Sequence, residues 1–327
     1  MTEPAPSPRT QPARKADVVI CECFARDGLQ HEDAFVPTAD KIALIDMMSA
    51  AGFTRIEATS YSSPQHVPAF RDASEVLAGI RKRDGVYYKA TCPNVRAVRR
   101  ALDDVAAGHG ANELSLLVSA SESHSQRNLR AGRDRQWETV AAMVEAAGDG
   151  FRLVGVVSVA FGCPFEGRVD PASVLAMVER FGQLGVRHVA LADTTGLATP
   201  TAVENLFRAV LSDLPGIVPI AHFHDSRGTG LANCVAALDA GCTHFDSAIG
   251  GVGGHPSQIA YGGGWTGNVA TEDLVGLFEA MGVPTGLDLD ALMHVSRACE
   301  RVLGRELHSK VARTGFGVLN ESAHVAA

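Results

Sequence analysis

The stretch Val218-Pro-Ile-Ala-His-Phe-His-Asp225 is a short apolar run that ends in polar residues. Successive side chains of a β-strand point to opposite faces, so His222 and His224 would lie on the same face of a strand here. A short loop then leads into Gly230–Ala240, which is rich in Ala and Leu at helical spacing. The stretch therefore predicts a strand over Val218–Phe223, a loop and a helix, with two imidazoles at the strand end that could bind a divalent metal.

The same unit repeats along the chain from Asp17 onward. Eight strand–helix pairs in roughly 260 residues favour a closed (β/α)8 barrel, the TIM barrel, over an open doubly wound sheet. No Gly-x-Gly-x-x-Gly motif follows the first strand, so a dinucleotide-binding fold is disfavoured. An additional C-terminal helix is predicted over Leu289–Leu303. The other predicted strands are Val18–Cys23, Arg55–Ala58, Val86–Thr91, Glu113–Val118, Leu153–Val159, His188–Ala192 and Thr243–Ala248. The other predicted helices are Thr38–Ala51, Asp72–Lys82, Val95–Ala107, Arg133–Ala147, Pro171–Leu184, Pro200–Asp213 and Thr271–Met281.

The composition indicates a globular protein and argues against several kinds of partner. The chain has 327 residues, 46% hydrophobic and 20% charged, which suits one barrel domain over 17–327 after a disordered tail at 1–16. A net charge of -8 argues against nucleic acid as a partner. No segment is long and apolar enough to suggest a membrane span. Seven cysteines without Cys-x-x-Cys spacing indicate free thiols in a reducing compartment, so we expect a cytoplasmic protein.

The residues that leave the predicted strands are unusually polar. Chemistry in a TIM barrel sits at the carboxyl ends of its strands, so these residues are the candidate site. They are Arg26-Asp27 after the first strand, Glu57 in the second, Asp193 after the sixth, His222 and His224 in and after the seventh, and Gly250-Gly-Val-Gly-Gly-His255 after the eighth. Together they are better explained by an active site than by scattered surface ion pairs.

Several motifs, taken in order, resemble the hydroxymethylglutaryl-CoA lyase family, part of a wider group of metal-dependent barrel lyases and condensing enzymes. The resemblance extends from about Asp17 to Lys310. The motifs are Phe24-Ala-Arg-Asp-Gly-Leu-Gln30, Ile56-Glu-Ala-Thr-Ser60, Gly162-Cys-Pro-Phe-Glu-Gly167, Asp193-Thr-Thr-Gly196, His222-Phe-His-Asp225 and Gly267-Asn-Val-Ala-Thr-Glu-Asp273.

This resemblance implies a ligand set and a reaction. The family's metal ligands correspond to Asp27, His222, His224 and Asn268, a set that suits Mg²⁺ or Mn²⁺. Arg26 corresponds to the family's catalytic arginine, and Glu57 and Asp193 to acidic positions of its active site. The expected reaction is carbon–carbon cleavage of a 3-hydroxyacyl-CoA, such as 3-hydroxy-3-methylglutaryl-CoA or citramalyl-CoA, to acetyl-CoA and a keto acid. We expect no partner beyond this substrate and a second copy of the chain, in a homodimer or other homo-oligomer.

One position departs from the family. The loop after the eighth strand carries the family's acid/base cysteine in Gly-Gly-Cys-Pro, whereas this chain has Gly253-Gly-His-Pro256. His255 could replace the cysteine as acid/base, or the altered loop could suit a different substrate. A condensing synthase or aldolase of the same group, or an impaired homologue that only binds acyl-CoA and metal, remains an alternative. The CoA adenine pocket is not located by the sequence, and the basic stretch Arg127–Arg135 is one candidate.

Overall fold

A computed structural model describes residues 17–253 and 267–317. Eight parallel strands form a closed barrel in sequential order, and β1 pairs with β8 to complete it. The strands are Val19–Glu22 (β1), Arg55–Ser60 (β2), Tyr87–Cys92 (β3), Glu113–Ser119 (β4), Arg152–Ser158 (β5), His188–Asp193 (β6), Val218–Phe223 (β7) and His244–Ser247 (β8). This architecture confirms the predicted (β/α)8 barrel.

Each strand is followed by a helix that packs on the outside of the barrel. The helices are Thr38–Ala50 (α1), Ala73–Gly79 (α2), Val95–Ala106 (α3), Arg133–Ala147 (α4), Pro171–Gln183 (α5), Pro200–Asp213 (α6), Gly230–Asp239 (α7) and Thr271–Ala280 (α8). The additional helix Leu289–Leu303 (α9) also forms as predicted, and a short helix, Val311–Thr314 (α10), follows it. Short helical turns occupy Gly28–His31, Pro68–Phe70, Glu122–His124, Ser125–Leu129 and Ile249–Gly251.

Local sequence explains where the helices begin and end. Pro171 and Pro200 occupy the first turns of α5 and α6, and the side chains of Asp170 and Thr199 accept backbone N–H groups there. At the other end, Gly52 follows α1 with φ +103°, a conformation that only glycine adopts easily. These signals account for the close match between the predicted and observed helix bounds.

Helix α2 is shorter than predicted. The helix was expected to reach Lys82, but it ends at Gly79 and Ile80 is extended. The backbone N–H of Arg81 donates to Asp46 of α1 at 2.7 Å. This tertiary hydrogen bond, which local periodicity does not report, takes the place of another helical turn.

The hydrophobic core lies between the barrel and the helices. Phe181 of α5 stacks on Trp137 of α4 at 4.9 Å, and Phe278 of α8 packs edge-on against Phe245 of β8 at 4.9 Å. Inside the barrel the apolar core is small, since Val154, Ala190 and Ile220 form a separate cluster there. The rest of the interior is largely polar and charged, and this is what positions the site.

The seam where the barrel closes is held by a buried carboxylate. Glu22 of β1 accepts hydrogen bonds from the backbone N–H of Ile249 at 3.0 Å and from the Thr271 hydroxyl at 2.5 Å. The first strand is thereby tied to the loop after β8 and to the start of α8.

The tail at 1–16, His255 and residues 318–327 lie outside the described residues. In the ranges that are described, no helix is both long enough and apolar enough to span a membrane.

Candidate active site

Two histidines and an aspartate converge at the carboxyl end of the barrel. His222 is in β7 and His224 follows it, and their rings lie on the same side with centroids 5.4 Å apart. Asp27 comes from the loop after β1. One potential ligand atom from each of the three residues lies within 4.8 Å of the other two. The expectation that His222 and His224 face the same way is confirmed.

Asn268 completes the group from the loop before α8. Its Nδ2 donates to Asp27 Oδ2 at 2.6 Å and to the Val252 carbonyl at 3.1 Å. Both partners accept only, so the amide orientation is defined and Oδ1 points elsewhere. Asn268 Oδ1 and His224 Nε2 are both buried without a hydrogen-bond partner among the described residues. Asp27 Oδ2 lies 3.6 Å from His224 Nε2, which is too far for a good hydrogen bond.

Two orphaned buried atoms need a physical explanation because each costs free energy when left unsatisfied. A divalent cation provides one. Carboxylate and amide oxygens with two imidazole nitrogens suit Mg²⁺ or Mn²⁺, and such an ion would compensate both atoms at once. The residues present therefore fit a divalent metal.

The backbone at position 253 passes so close to Asn268 and Asp27 that only glycine fits there. Gly253 has φ +107°, and a Cβ there would lie 2.6 Å from Asn268 Nδ2 and 3.1 Å from the Asp27 carbonyl. Any larger residue would push the asparagine away from the aspartate. The glycine-rich loop seen in the sequence is thus explained, at least at this position, by close packing against the candidate ligands.

Arg26 lies between two carboxylates. Its Nη1 is 2.7 Å from Asp27 Oδ1, and its Nε is 2.7 Å from Glu57 Oε1. Burial alone would raise the pKa of both carboxyls, but Arg26 outweighs this effect and holds the pKa of Asp27 well below its ordinary value and that of Glu57 below its own. The pKa of Arg26 is raised in turn, so the site carries a fixed cation and fixed anions.

Two charged residues of the site were not identified from sequence. Lys89 of β3 is 3.6 Å from Glu57 Oε2 and 3.4 Å from Asp246 Oδ2, and Asp246 of β8 is 3.2 Å from His222 Nδ1. Lys89, Asp246 and Glu57 are all buried. For Lys89 the available signal was a single charged residue inside the strand Tyr87–Cys92, which is costly when buried unless paired. Asp246 lies in a short strand with two other polar residues and gave no such signal.

Asp193 has a different environment from the other predicted acids. Its carboxylate oxygens accept the backbone N–H groups of Leu197 and Ala198 at 2.8 and 2.9 Å, and its carbonyl accepts the N–H of His224 at 3.3 Å. Burial raises the pKa of this carboxyl. The side chain is turned into its own loop, next to the histidines.

A cavity of about 730 Å³ opens above these groups. One side is charged and carries Arg26, Asp27, Glu57, Lys89, His222, His224 and Asp246. The opposite side, from β4 to β6, is mostly small or apolar and carries Leu117, Val156, Ala190 and Ala192. Arg127, Arg130 and Arg135 line the outer part of the cavity and are exposed.

No cysteine contributes to the cavity. All seven cysteines fall within the described ranges, and all are buried and unpaired. Burial raises the pKa of the thiols of Cys23, Cys92 and Cys234. Cys21 and Cys23 of the first strand region are fully buried and belong to the core.

Comparison with known proteins finds a matching family model, similar proteins and similar solved structures. Residues 17–299 match the family model described as HMGL-like. The chain is 39% identical over 297 residues to the mitochondrial hydroxymethylglutaryl-CoA lyase of Bos taurus, covering 90% of this chain and 89% of that protein. It is 39% identical to the 3-hydroxy-3-isohexenylglutaryl-CoA/hydroxymethylglutaryl-CoA lyase of Pseudomonas aeruginosa, covering 90% and 96%. The structure of an HMG-CoA lyase from Acinetobacter baumannii, in complex with coenzyme A and 3-methylmalate, superposes with a TM-score of 0.85 at 40% identity, covering 91% of this chain and 95% of that chain.

Proposed function

The chain belongs to the HMGL-like family, and on this premise we propose that it is a divalent-metal-dependent lyase that cleaves a carbon–carbon bond of a 3-hydroxyacyl-CoA. The products are acetyl-CoA and a keto acid. The substrate is 3-hydroxy-3-methylglutaryl-CoA or a close analogue such as citramalyl-CoA. The observation that carries the proposal is the pair of orphaned ligand atoms, on His224 and Asn268, at the charged side of the cavity.

Asp27, His222, His224 and Asn268 would hold the metal. When bound, a divalent ion supplies Lewis-acid stabilisation of a hydroxyl or carbonyl oxygen of the substrate. The carboxylate of Asp27 is kept ionised by Arg26, and Asn268 is oriented by its hydrogen bond to Asp27. The ligand set is therefore aligned by contacts within the chain itself.

Arg26 would act on the charge that develops during cleavage. Once a base has taken the proton of the 3-hydroxyl, breaking the bond between C2 and C3 turns that oxygen into a carbonyl and leaves the bonding electrons on the thioester half as an enolate, which must then take up a proton at C2. Glu57 holds Arg26 through Nε, so the guanidinium is fixed before the substrate arrives. A preorganised cation near the enolate oxygen lowers the barrier, because no solvent has to reorganise around it.

Asp193 contributes by holding the loop after β6. Its carboxylate fixes the backbone at Leu197 and Ala198, and its carbonyl holds the backbone of His224. We assign to Asp193 the support of a ligand-bearing segment, while its place among the catalytic residues stays a prediction from the resemblance.

The mouth of the cavity supports an acyl-CoA as the substrate class. Arg127, Arg130 and Arg135 supply exposed positive charge at the outer cavity of a protein with a net charge of -8. Guanidinium groups suit phosphates, of which coenzyme A has several. The related A. baumannii lyase was solved with coenzyme A.

His255 is proposed as the acid/base that protonates the enolate carbon. It lies outside the described residues, and the support comes from its place in the sequence and from the absence of any cysteine in the described lining of the cavity. Thiol alkylation should then leave turnover intact, and His255→Ala should abolish most turnover while metal binding persists. His255→Cys should restore part of the activity and make it sensitive to alkylation. Turnover by His255→Ala close to the parent rate would remove His255 from the mechanism.

The test of the proposed function is acetyl-CoA release from a panel of 3-hydroxyacyl-CoA thioesters. Release should depend on Mg²⁺ or Mn²⁺, stop after chelation and return when metal is added back. If metal and acyl-CoA bind and no thioester is cleaved, the chain is an impaired homologue. If only the reverse reaction is seen, with acetyl-CoA and keto acids as substrates, it is a condensing enzyme of the same group.

A further inference from the structure

The barrel interior contains a continuous series of alternating charges. It begins at the candidate site and runs down the barrel through side chains of β2, β3, β4 and β8. Successive charged atoms in the series are 2.7, 3.6, 3.4, 3.6 and 2.7 Å apart. The members, in order, are Arg26, Glu57, Lys89, Asp246, Arg55 and Glu113.

Asp246 is the member of this series that touches the candidate metal ligand His222. It lies beside His222 in the register of β7 and β8, and His222 Nδ1 is 3.2 Å from Asp246 Oδ2. The same Oδ2 is 3.4 Å from Lys89 Nζ, and Oδ1 is 3.6 Å from Arg55 Nη1. Asp246 is therefore surrounded by one imidazole and two cations.

The donor and acceptor capacities of these groups determine the proton position on His222. An ionised carboxylate only accepts, so the imidazole must present N–H at Nδ1 to form the contact. The neutral ring then has its lone pair at Nε2, and a nitrogen can bind a metal only through a lone pair. Lys89 and Arg55 can only donate, and they keep Asp246 in this position.

We propose that Asp246, held between Lys89 and Arg55, is a positioning residue that keeps His222 in its Nδ1–H tautomer and thereby makes Nε2 the atom available to the divalent ion. This inference rests on the proposed metal site. It assigns a role to a residue that neither the motifs nor the resemblance identified. Partners of this kind typically change metal affinity by about 10- to 100-fold when removed.

The variant Asp246→Asn makes the proposal testable because the neighbours determine how the new amide turns. Lys89 and Arg55 offer only donors, so they would attract the amide oxygen and leave the NH₂ group facing His222. The amide would then donate to Nδ1, and His222 would switch to the Nε2–H tautomer. That tautomer has no lone pair at Nε2 for a metal.

The first measurement uses the metal-free protein and needs no activity. The ¹⁵N shifts of His222, assigned by their loss in His222→Gln and recorded at pH 9 to observe the neutral ring, should show Nδ1–H in the parent protein. They should show Nε2–H in Asp246→Asn. An Nε2–H ring in the parent protein would overturn the proposal even if no variant folds.

The second measurement is Mn²⁺ binding, followed by the loss of the free Mn²⁺ EPR signal. Asp246→Asn should weaken binding by about 10- to 100-fold. The matched control is Glu113→Gln, which is equally buried and in the same series of charges but contacts Arg55 and not His222. It should leave the tautomer unchanged and the Mn²⁺ affinity close to that of the parent protein, because Asp246 keeps its contacts with Lys89 and Arg55 when Glu113 is neutralised.

Equal weakening by Asp246→Asn and Glu113→Gln, or an unchanged tautomer in Asp246→Asn, would contradict the proposal. If the parent protein binds no Mn²⁺, the proposed metal site is wrong. The tautomer measurement still decides whether Asp246 orients His222. The two failures can therefore be told apart.

Discussion

The two ends of the barrel interior carry similar side chains. They differ in how the polar and charged atoms of those side chains are paired. At the carboxyl end, His222, His224, Arg26 and Asp27 surround an open cavity. At the amino end, His188 and His244 pack with centroids 5.9 Å apart in the cluster that contains Glu113 and its arginines. Each end has two histidines, arginine and an acid.

The difference lies in pairing. At the amino end Glu113 binds both Arg55, at 2.7 Å, and Arg152, so one carboxylate compensates two cations. Arg55 Nη1 and Arg152 Nη2 lack a hydrogen bond there, but each lies beside a carboxylate that balances its charge. At the carboxyl end His224 Nε2 and Asn268 Oδ1 lack a hydrogen-bond partner among the described residues, and His224 Nε2 has only Asp27 Oδ2 at 3.6 Å. Charge by itself does not mark a site. A metal site is indicated instead by ligand atoms that lack a hydrogen-bond partner beside a cavity. Variants at the carboxyl end and at the amino end of the barrel can test this contrast.

The largest effect is expected for the histidines of the carboxyl end. His222→Ala or His224→Ala should abolish turnover and Mn²⁺ binding while the fold persists, because ligands at strand ends contribute little to the core. His188→Ala, at the amino end, is the matched control and should keep bound metal and activity. Bound metal, circular dichroism and acetyl-CoA release measure the three properties. Stoichiometric metal in a folded His222→Ala, His224→Ala double variant would place the site elsewhere.

The second-largest effect is expected for a substitution of Arg26. Arg26→Gln should lower kcat by roughly 10²–10³, the usual cost of removing one group that stabilises a developing oxyanion. KM should change little, because the interaction is made mainly in the transition state. Mn²⁺ titration of the same variant serves as the control, since the metal should remain. A metal-loaded Arg26→Gln enzyme with near-normal kcat would exclude Arg26 from the chemistry.

A third variant, Glu113→Gln, should lower the stability of the protein and leave its turnover nearly unchanged. Glu113→Gln removes the anion between buried Arg55 and half-buried Arg152 and should lower the free energy of unfolding by about 3 kcal/mol, since Arg55 is left with only the more distant Asp246 as counter-charge. Below its melting temperature the variant should keep kcat within about twofold, because no orphaned ligand atom is involved. Urea unfolding and steady-state kinetics separate the two outcomes. A large fall in kcat with unchanged stability would mean that the amino end takes part in function.

The smallest expected effect is a pH dependence at the amino end. Burial, with Arg55 and Arg152 adding to it, lowers the pKa of His244 from 6.5 to about 4. The unfolded chain therefore takes up a proton on this ring before the folded protein does, and the free energy of unfolding falls as the pH drops from 6.5 towards 4. Because the ring is partly exposed, we expect a loss of about 1–2 kcal/mol over this range.

The variant His244→Gln checks this dependence. Its free energy of unfolding, measured by urea at several pH values, should vary less between pH 6.5 and 4 than that of the parent protein. Above pH 6.5 the two proteins should show the same slope. Identical slopes throughout would mean that His244 titrates normally in the folded state.

Much of the fold could be read from local signals. The bounds of β7, α4, α6 and α9 agree with the prediction to the residue. Hydrophobic periodicity combined with proline or capping residues delimits these elements within a few positions of the chain. The end of α2 could not be predicted, because it depends on a contact between Arg81 and Asp46, 35 residues apart.

The candidate site was predictable where its residues belong to the polar motifs near the carboxyl ends of the strands, and not where a single charged residue lies within a strand outside those motifs. Asp27, His222 and His224 were identified and do converge. Lys89 and Asp246 were missed, because their contact depends on the curvature that brings β3 opposite β8 across the barrel. The sequence distinguished His222 from His188 by position, since His222 lies near the carboxyl end of its strand and His188 begins its strand, but it could not show how the neighbours of each ring are paired in space.

The seam closed by Glu22 has a consequence for the order of events during synthesis. Glu22 bonds to Ile249 and Thr271, and Asp27 bonds to Asn268, over separations of 227, 249 and 241 residues. Contacts of such high contact order form slowly, since the loop they close must be ordered first. On the ribosome the first strand has no partner across the seam until β8 has emerged. Metal binding would thus be acquired only when folding is almost complete, and a nascent chain that binds Mn²⁺ would already have closed its barrel.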